Sequence, residues 1–151
     1  MNAILNYVPG TRAAYFNEAK LTGLPIEICE TLEEAILSHE RLKHDVRRFV
    51  EVGENALKFR KLHVDGDCSF GKWLVKRELP LKVKSSVEYK NVRRLHSEFH
   101  RVAAQAVSLA SHDKMAEALQ LIGVGSKFVR TSNCLRLAMI CWRDKIRWQG
   151  L

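Results

Sequence analysis

Apolar residues recur along this chain every three or four positions, the period of a helix that buries one face. Ile36, Leu37, His39, Leu42, Val46, Phe49 and Val50 form the first such stripe. Thr31-Leu-Glu-Glu34 has the form of a capping box, with Thr31 as N-cap and Glu34 three residues on. Gly53 is the expected stop, and the pattern resumes weakly from Leu57 to Leu62. A second capping box, Ser85-Ser-Val-Glu88, opens the clearest helix. Its inward positions are Val92, Leu95, Phe99, Val102, Ala103, Ala106 and Val107, and it stops near Ser111-His-Asp113. From Asp113 a further helix runs through Ala116, Leu119, Leu121 and Ile122. Gly123 and Gly125 interrupt it, since a helical glycine costs about 1 kcal/mol relative to alanine. It resumes through Phe128, Leu135, Leu137, Met139, Ile140 and Trp142, ahead of a basic amphipathic tail, Arg143 to Trp148. Strand-like alternation is missing. The expected fold is all-α, an antiparallel four- to five-helix bundle.

The remaining segments are short. Residues 1–30 read as an N-terminal extension to a bundle spanning 31–148, with a turn at Pro9-Gly10, a short helix over Arg12 to Lys20 and a break at Gly23-Leu-Pro25. Cys29, beside Ile28 and Glu30 in this linker, is expected to be a plain core residue. Between the long helices, Val64-Asp-Gly-Asp67 is a loop whose Asp67 can cap the turn that Cys68, Phe70, Trp73 and Leu74 enter. Pro80 ends that turn and begins a basic crossing.

Composition narrows the class. At 151 residues, 46% apolar and 28% charged, the chain is one ordinary globular domain. No apolar run approaches the roughly 18 residues of a membrane span. The N-terminus lacks a basic region followed by an apolar core, so a cytoplasmic protein without membrane insertion is expected. The four cysteines are widely scattered, which in a reducing compartment argues for thiols or metal ligands over disulfides. Cys134 and Cys141, seven apart on an apolar helical stretch, are expected in the core. The net charge of +8 invites a nucleic-acid reading. The cations are interleaved with acids, however, as in Arg41, Lys43, Arg47 and Arg48 among Glu33, Glu34, Glu40 and Asp45. That pattern describes a solvated helix face and argues against nucleic acid.

The candidate chemistry lies between Val64 and His100. His96 and His100 are four residues apart on the clearest helix, so both imidazoles project from one face and can reach one ion. Cys68 sits at a helix start, where the helix dipole favours a thiolate. With one more histidine from upstream, a closed tetrahedral zinc site between helices becomes available. His39 lies on the apolar stripe of the first helix; His44 on its charged side and His63 further on are substitutes. A zinc hydrolase does not fit. Glu98 follows His96 by two residues instead of one, which turns it about 200 degrees from that histidine, away from any bound water. No catalytic residue is expected.

Cys68-Ser-Phe-Gly-Lys-Trp-Leu74 resembles the C-x-[LF]-G-K-W signature of the chemoreceptor zinc-binding (CZB) domain family, with Phe70, Gly71 and Trp73 as its supporting positions. Leu95-His-Ser-Glu-Phe-His100 is similar to that family's paired-histidine helix, and Ala35-Ile-Leu-Ser-His39 to its first-helix histidine. Gly125-Ser-Lys-Phe128, with Ser132-Asn133 and Leu135, is similar to its last helix. The resemblance implies zinc held by His39, Cys68, His96 and His100, three imidazoles and one thiolate with no open position. It further implies a regulatory sensor of bacterial signal transduction, often homodimeric, acting on a chemoreceptor or diguanylate cyclase in cis or in trans. Zinc occupancy or oxidation of Cys68, by hypochlorous acid for example, would be the signal. The alternative is a bundle with a purely structural zinc that serves protein or nucleic-acid interaction.

Overall fold

The computed structural model describes residues 23–53, 68–76 and 78–150. Expectations for Arg12 to Lys20, for Leu57 to Leu62, for the Val64–Asp67 loop and for His63 lie outside the described residues. Six helices occur within them and no strand: α1 (Leu24–Val52), α2 (Ser69–Leu74), α3 (Leu81–Ser85), α4 (Val87–Ser111), α5 (Met115–Ile122) and α6 (Lys127–Gln149). None of the described helices is long and apolar enough to cross a membrane.

The bundle is built on α1, α4 and α6. Charged pairs fix how they run: Glu33 near the start of α1 meets Arg143 and Arg147 near the end of α6, while Lys43 further along α1 reaches Asn133 at 3.1 Å. On the other side, Lys145 meets Glu88 at 2.7 Å and Lys127 meets Glu98 at 3.2 Å. Thus α6 is antiparallel to both α1 and α4, and α1 and α4 point the same way. Two parallel neighbours need a long connection, and that connection carries α2 and α3 across the bundle. The stripes meet in one core, in which Phe99, Phe128, Leu135, Met139 and Val46 are each at most 1% exposed.

Helix boundaries differ from the sequence reading in instructive ways. The first helix does not begin at Thr31; it begins at Leu24 behind Gly23, with Pro25 in its first turn. Proline tolerates that position because the first-turn N–H groups have no helical partner anyway, so Gly23-Leu-Pro25 starts a helix instead of breaking one. Cys29 consequently lies inside α1, buried, its Sγ 3.7 Å from the Arg143 carbonyl, and burial pushes its thiol pKa up. The N-cap of α4 is Ser86, whose Oγ accepts from Tyr89 N–H, one residue later than the capping box placed it. Gly53 does close α1, in the left-handed conformation at φ 75°, with its N–H on Phe49 O. Gly123 and Gly125 do separate α5 from α6.

Two expectations about faces are overturned. Cys134 and Cys141 are exposed, not core. A seven-residue spacing puts two residues on one face without saying which face is inward; on α6 the inward line is Phe128, Leu135, Met139, Trp142 and Ile146. Leu37 and Leu137, counted with their stripes, are 58% and 56% exposed. Removing Phe128, fully buried between α4 and α6, should cost about 3–5 kcal/mol as Phe128→Ala. Leu137→Ala should change stability by less than about 1 kcal/mol. Urea denaturation of the two variants checks the facing of α6; equal losses would reverse it.

Candidate metal centre

Each side chain of the centre is placed by the helix that carries it. His96 and His100 sit one turn apart on α4, and both are buried. His39 faces them from α1 and is also buried. Cys68 stands at the start of α2, where it is itself the N-cap: its Sγ accepts from Gly71 N–H at 3.1 Å. That role was assigned to Asp67 from the sequence. The extended backbone at Cys68 aims Sγ back over the first turn, while Asp67 lies outside the described residues.

The four residues predicted from the sequence lie together. One donor atom from each of His39, Cys68, His96 and His100 can be chosen so that all fall within 4.8 Å of one another. Cys68 Sγ and His96 Nε2 are 3.1 Å apart. Ring centroids of His96 and His100 are 4.6 Å apart, and those of His39 and His96 are 5.0 Å apart. With zinc–nitrogen bonds near 2.0 Å and zinc–sulfur near 2.3 Å, a tetrahedron has ligand–ligand edges of about 3.3–3.6 Å. The cluster is therefore close to that scale.

Hydrogen bonding tests the fit independently. His39 Nδ1 lies 2.7 Å from the Ala35 carbonyl, which can only accept, so Nδ1 carries the proton. In a neutral imidazole that leaves a lone pair on Nε2, and His39 Nε2 is buried with no hydrogen-bond partner. A donor nitrogen fixed by a backbone carbonyl behind it is the arrangement of a metal-ligating histidine. Burial drives all of this toward the neutral ring. It lowers the His39 pKa to about 4, against the small opposing pull of the Ala35 carbonyl. It lowers that of His96 to about 2, with His39 and His100 adding to the effect. Neutral imidazoles are the form that binds zinc.

The surroundings are apolar and aromatic. Phe70 packs edge-on against His39 and His96, at 5.7 and 5.3 Å, and Phe99 closes the side toward His39 and His100. Phe70 stacks on Trp73, which meets Trp142 of α6. Tyr89 completes the anchor by donating its hydroxyl to Leu74 O at 2.6 Å, which ties the end of α2 to α4. Tyr89 and the Ala35 carbonyl were missed from the sequence. The carbonyl was findable, because a helical histidine has the carbonyl four residues back within reach. The Tyr89 contact spans two elements and leaves no local trace.

Two other residues weighed from the sequence fall elsewhere. His44 is on the surface, 4.0 Å from the Asp45 carboxylate, which removes it as a substitute for His39. Glu98 faces outward among Arg94, Arg101 and Lys127.

A helical bundle with three buried histidines and a cysteine converging from three helices defines a metal-binding protein of the His3Cys type. Residues 39–107 match the family described as the chemoreceptor zinc-binding domain, which supports the resemblance read from the sequence. All four clustered residues fall inside it, and the cofactor is zinc. No curated protein and no solved structure matches the chain.

The depressed histidine pKa values fix the sign of a pH effect. In metal-free protein the folded state keeps His39 neutral down to about pH 4, whereas the unfolded chain protonates it near 6.5. The associated stability is thus present above pH 6.5 and lost as the pH falls toward 4. His39 alone should remove roughly 2 kcal/mol by pH 5. Urea midpoints of chelated protein at pH 7.5 and pH 5 measure this, and an unchanged midpoint would mean that the imidazole is not buried neutral.

Proposed function

We propose that this chain is a zinc-binding regulatory domain of bacterial signal transduction, in which His39, Cys68, His96 and His100 hold one ion and Cys68 is the ligand that changes. The observation that carries this reading is the asymmetry of the donor set. Three imidazoles come from α1 and α4, which are 29 and 25 residues long and packed into the core. The thiol comes from α2, of six residues, and is only half-buried. Zinc, when bound, supplies a double positive charge that satisfies the imidazole lone pairs and the thiolate and joins three helices.

The chain's own residues then make the switch. Ala35 holds the His39 tautomer, Phe70 and Phe99 keep water from the imidazoles, and Gly71 N–H steadies the sulfur. An oxidant such as hypochlorous acid takes two electrons from the Cys68 thiolate, leaving sulfenic acid and chloride. The oxidised sulfur is a poorer ligand, and α2 is then held chiefly by Phe70, Trp73 and the Tyr89 hydroxyl. Were zinc too scarce to fill the site, Phe70, Trp73 and the Tyr89 hydroxyl would likewise be left as the chief holds on α2. In either case α2 shifts against α1 and α4, and that shift is the signal passed to a chemoreceptor or diguanylate cyclase.

Residues 31–148 form the regulatory bundle in this reading, with residues 1–30 an extension that runs into the first turns of α1. The protein works in the cytoplasm as a homodimer. The outward line of α6 supports that assembly, since Leu137 and Trp148 are both more than half exposed on it. Catalysis is not part of the function in this reading: Glu98, the carboxylate between His96 and His100 in sequence, is engaged by Arg94, Arg101 and Lys127 on the outer surface.

The test measures metal per chain by mass spectrometry before and after stoichiometric hypochlorous acid. Exposed Cys134 and Cys141 would consume oxidant, so both are replaced by serine in the starting protein. About one zinc per chain, released by oxidant with Cys68 present and retained in a Cys68→Ser chain that still binds it, supports Cys68 as the switch. Zinc that oxidant cannot dislodge leaves occupancy sensing or a structural ion. A folded bundle without zinc would sink the reading.

A further inference from the structure

The outer wall of the metal centre is also the floor of a groove. Between α1 and α2 lies an open cleft of about 580 Å³, lined on one side by Ala35, Leu37 and Ser38 and on the other by Ser69, Phe70 and Trp73. These residues are not independent of the centre. The Ala35 carbonyl fixes His39, Ser38 Oγ lies 3.4 Å from the same imidazole, and the Phe70 ring touches His39 and His96. Ser69 follows Cys68 directly. A movement of α2 against α1 would change the width of this groove.

The groove has a definite chemical character. Leu37 is a large apolar side chain left 58% exposed at its edge. Three cations, Arg41, Lys72 and Lys76, rim it, and the one acid among its lining residues is Glu34. None of the three cations makes an ion pair with a described residue; Lys90, Arg93, Arg130 and Arg136 share that state, whereas Lys43, Arg47, Arg94, Arg143 and Lys145 are paired. A cleft with an exposed leucine at its edge, bordered by cations that have no acidic partner among the described residues, complements an amphipathic segment whose apolar residues are flanked by Asp or Glu.

We propose that the α1–α2 groove is the output surface of the domain, docking an acidic amphipathic helix of a partner protein, with its grip set by the metal-dependent position of α2. The proposal rests on the zinc reading for its coupling. Charge complementarity identifies the occupant. Nucleic acid fits less well, because both aromatic rings of the groove, Phe70 and Trp73, are buried in the wall and offer no stacking face.

The probe is a fluorescein-labelled synthetic helix with leucine at heptad spacing and glutamate on its flanks, measured by fluorescence anisotropy. An oligo-dT strand of equal charge is the comparison. Zinc-loaded protein should bind the peptide, and Lys72→Glu with Lys76→Glu should weaken it at least tenfold. Reversal of another basic face, Lys90→Glu with Arg93→Glu on α4, should change it less than twofold. Chelation should weaken it by a similar factor while far-ultraviolet circular dichroism still reports a helical protein, and by linkage the peptide should tighten zinc binding by that same factor. Equal losses from the two reversals, indifference to zinc in a protein that binds zinc, or preference for oligo-dT would each overturn the proposal. Zinc content measured on the same samples separates this from failure of the metal reading: protein without zinc defeats the latter, whereas zinc-loaded protein insensitive to Lys72→Glu/Lys76→Glu defeats only the docking surface.

Discussion

Three imidazoles are packed against one another where α1 and α4 meet, each at most 7% exposed. Moving imidazoles out of water costs hydrogen bonds, and burial of the charged form costs more, which is why the pKa values of His39 and His96 are driven down. Imidazoles of one kind cannot all satisfy each other. With Nδ1 of His39 committed to a backbone carbonyl, its remaining lone pair can be met only by a proton donor or a cation. The thiol beside it, supported by Gly71 N–H, makes the cation the natural solution. Without an ion the centre is a destabilised polar pocket inside a hydrophobic core; with one it becomes a crosslink among three helices.

The rest of the fold holds this junction with two long helices and one short one. The antiparallel packing of α6 against both α1 and α4 buries Phe128, Leu135 and Met139 and keeps the histidine-bearing helices in register. Because α1 and α4 run in the same direction, the chain must cross the bundle to join them, and the crossing delivers Cys68. A ligand on a short crossing helix is less constrained by its own backbone than one in mid-helix. The aromatic run Phe70, Trp73, Trp142 and Tyr89 compensates, docking α2 from behind.

Surface chemistry follows a similar division. On faces other than the α1–α2 groove, Lys43, Arg47, Arg94, Arg143 and Lys145 sit within reach of carboxylates, and such exposed pairs contribute little to stability. Around the α1–α2 groove the cations have no such partners among the described residues, and an apolar side chain stays in solvent. That surface lies one layer of side chains from the imidazoles.

Much of this was legible in the sequence, for a physical reason. Helical periodicity is local, so the three long helices, their breaks at Gly53 and Gly123, and the shared face of His96 and His100 could be read from spacing alone. The cysteine-to-tryptophan motif is equally local, and it identified the family and the thiol. What spacing could not decide was rotation and company. Whether Cys134, Leu137 and Cys141 face inward depends on which neighbours α6 meets, and the same holds for Leu37. Thr31 and Ser85 satisfy a capping pattern that competes with better starts nearby, and tertiary packing of Ile28, Cys29 and Leu32 extends α1 past Thr31. The choice of His39 over His44 was likewise a matter of facing: the two are five residues apart on one helix, and only the position of α4 and α2 makes one a neighbour of Cys68 and the other a surface residue. The residue types of the centre were written in the chain; their convergence on one point was decided by the packing of α1, α2 and α4, because distances between elements far apart in sequence are set by the core they share.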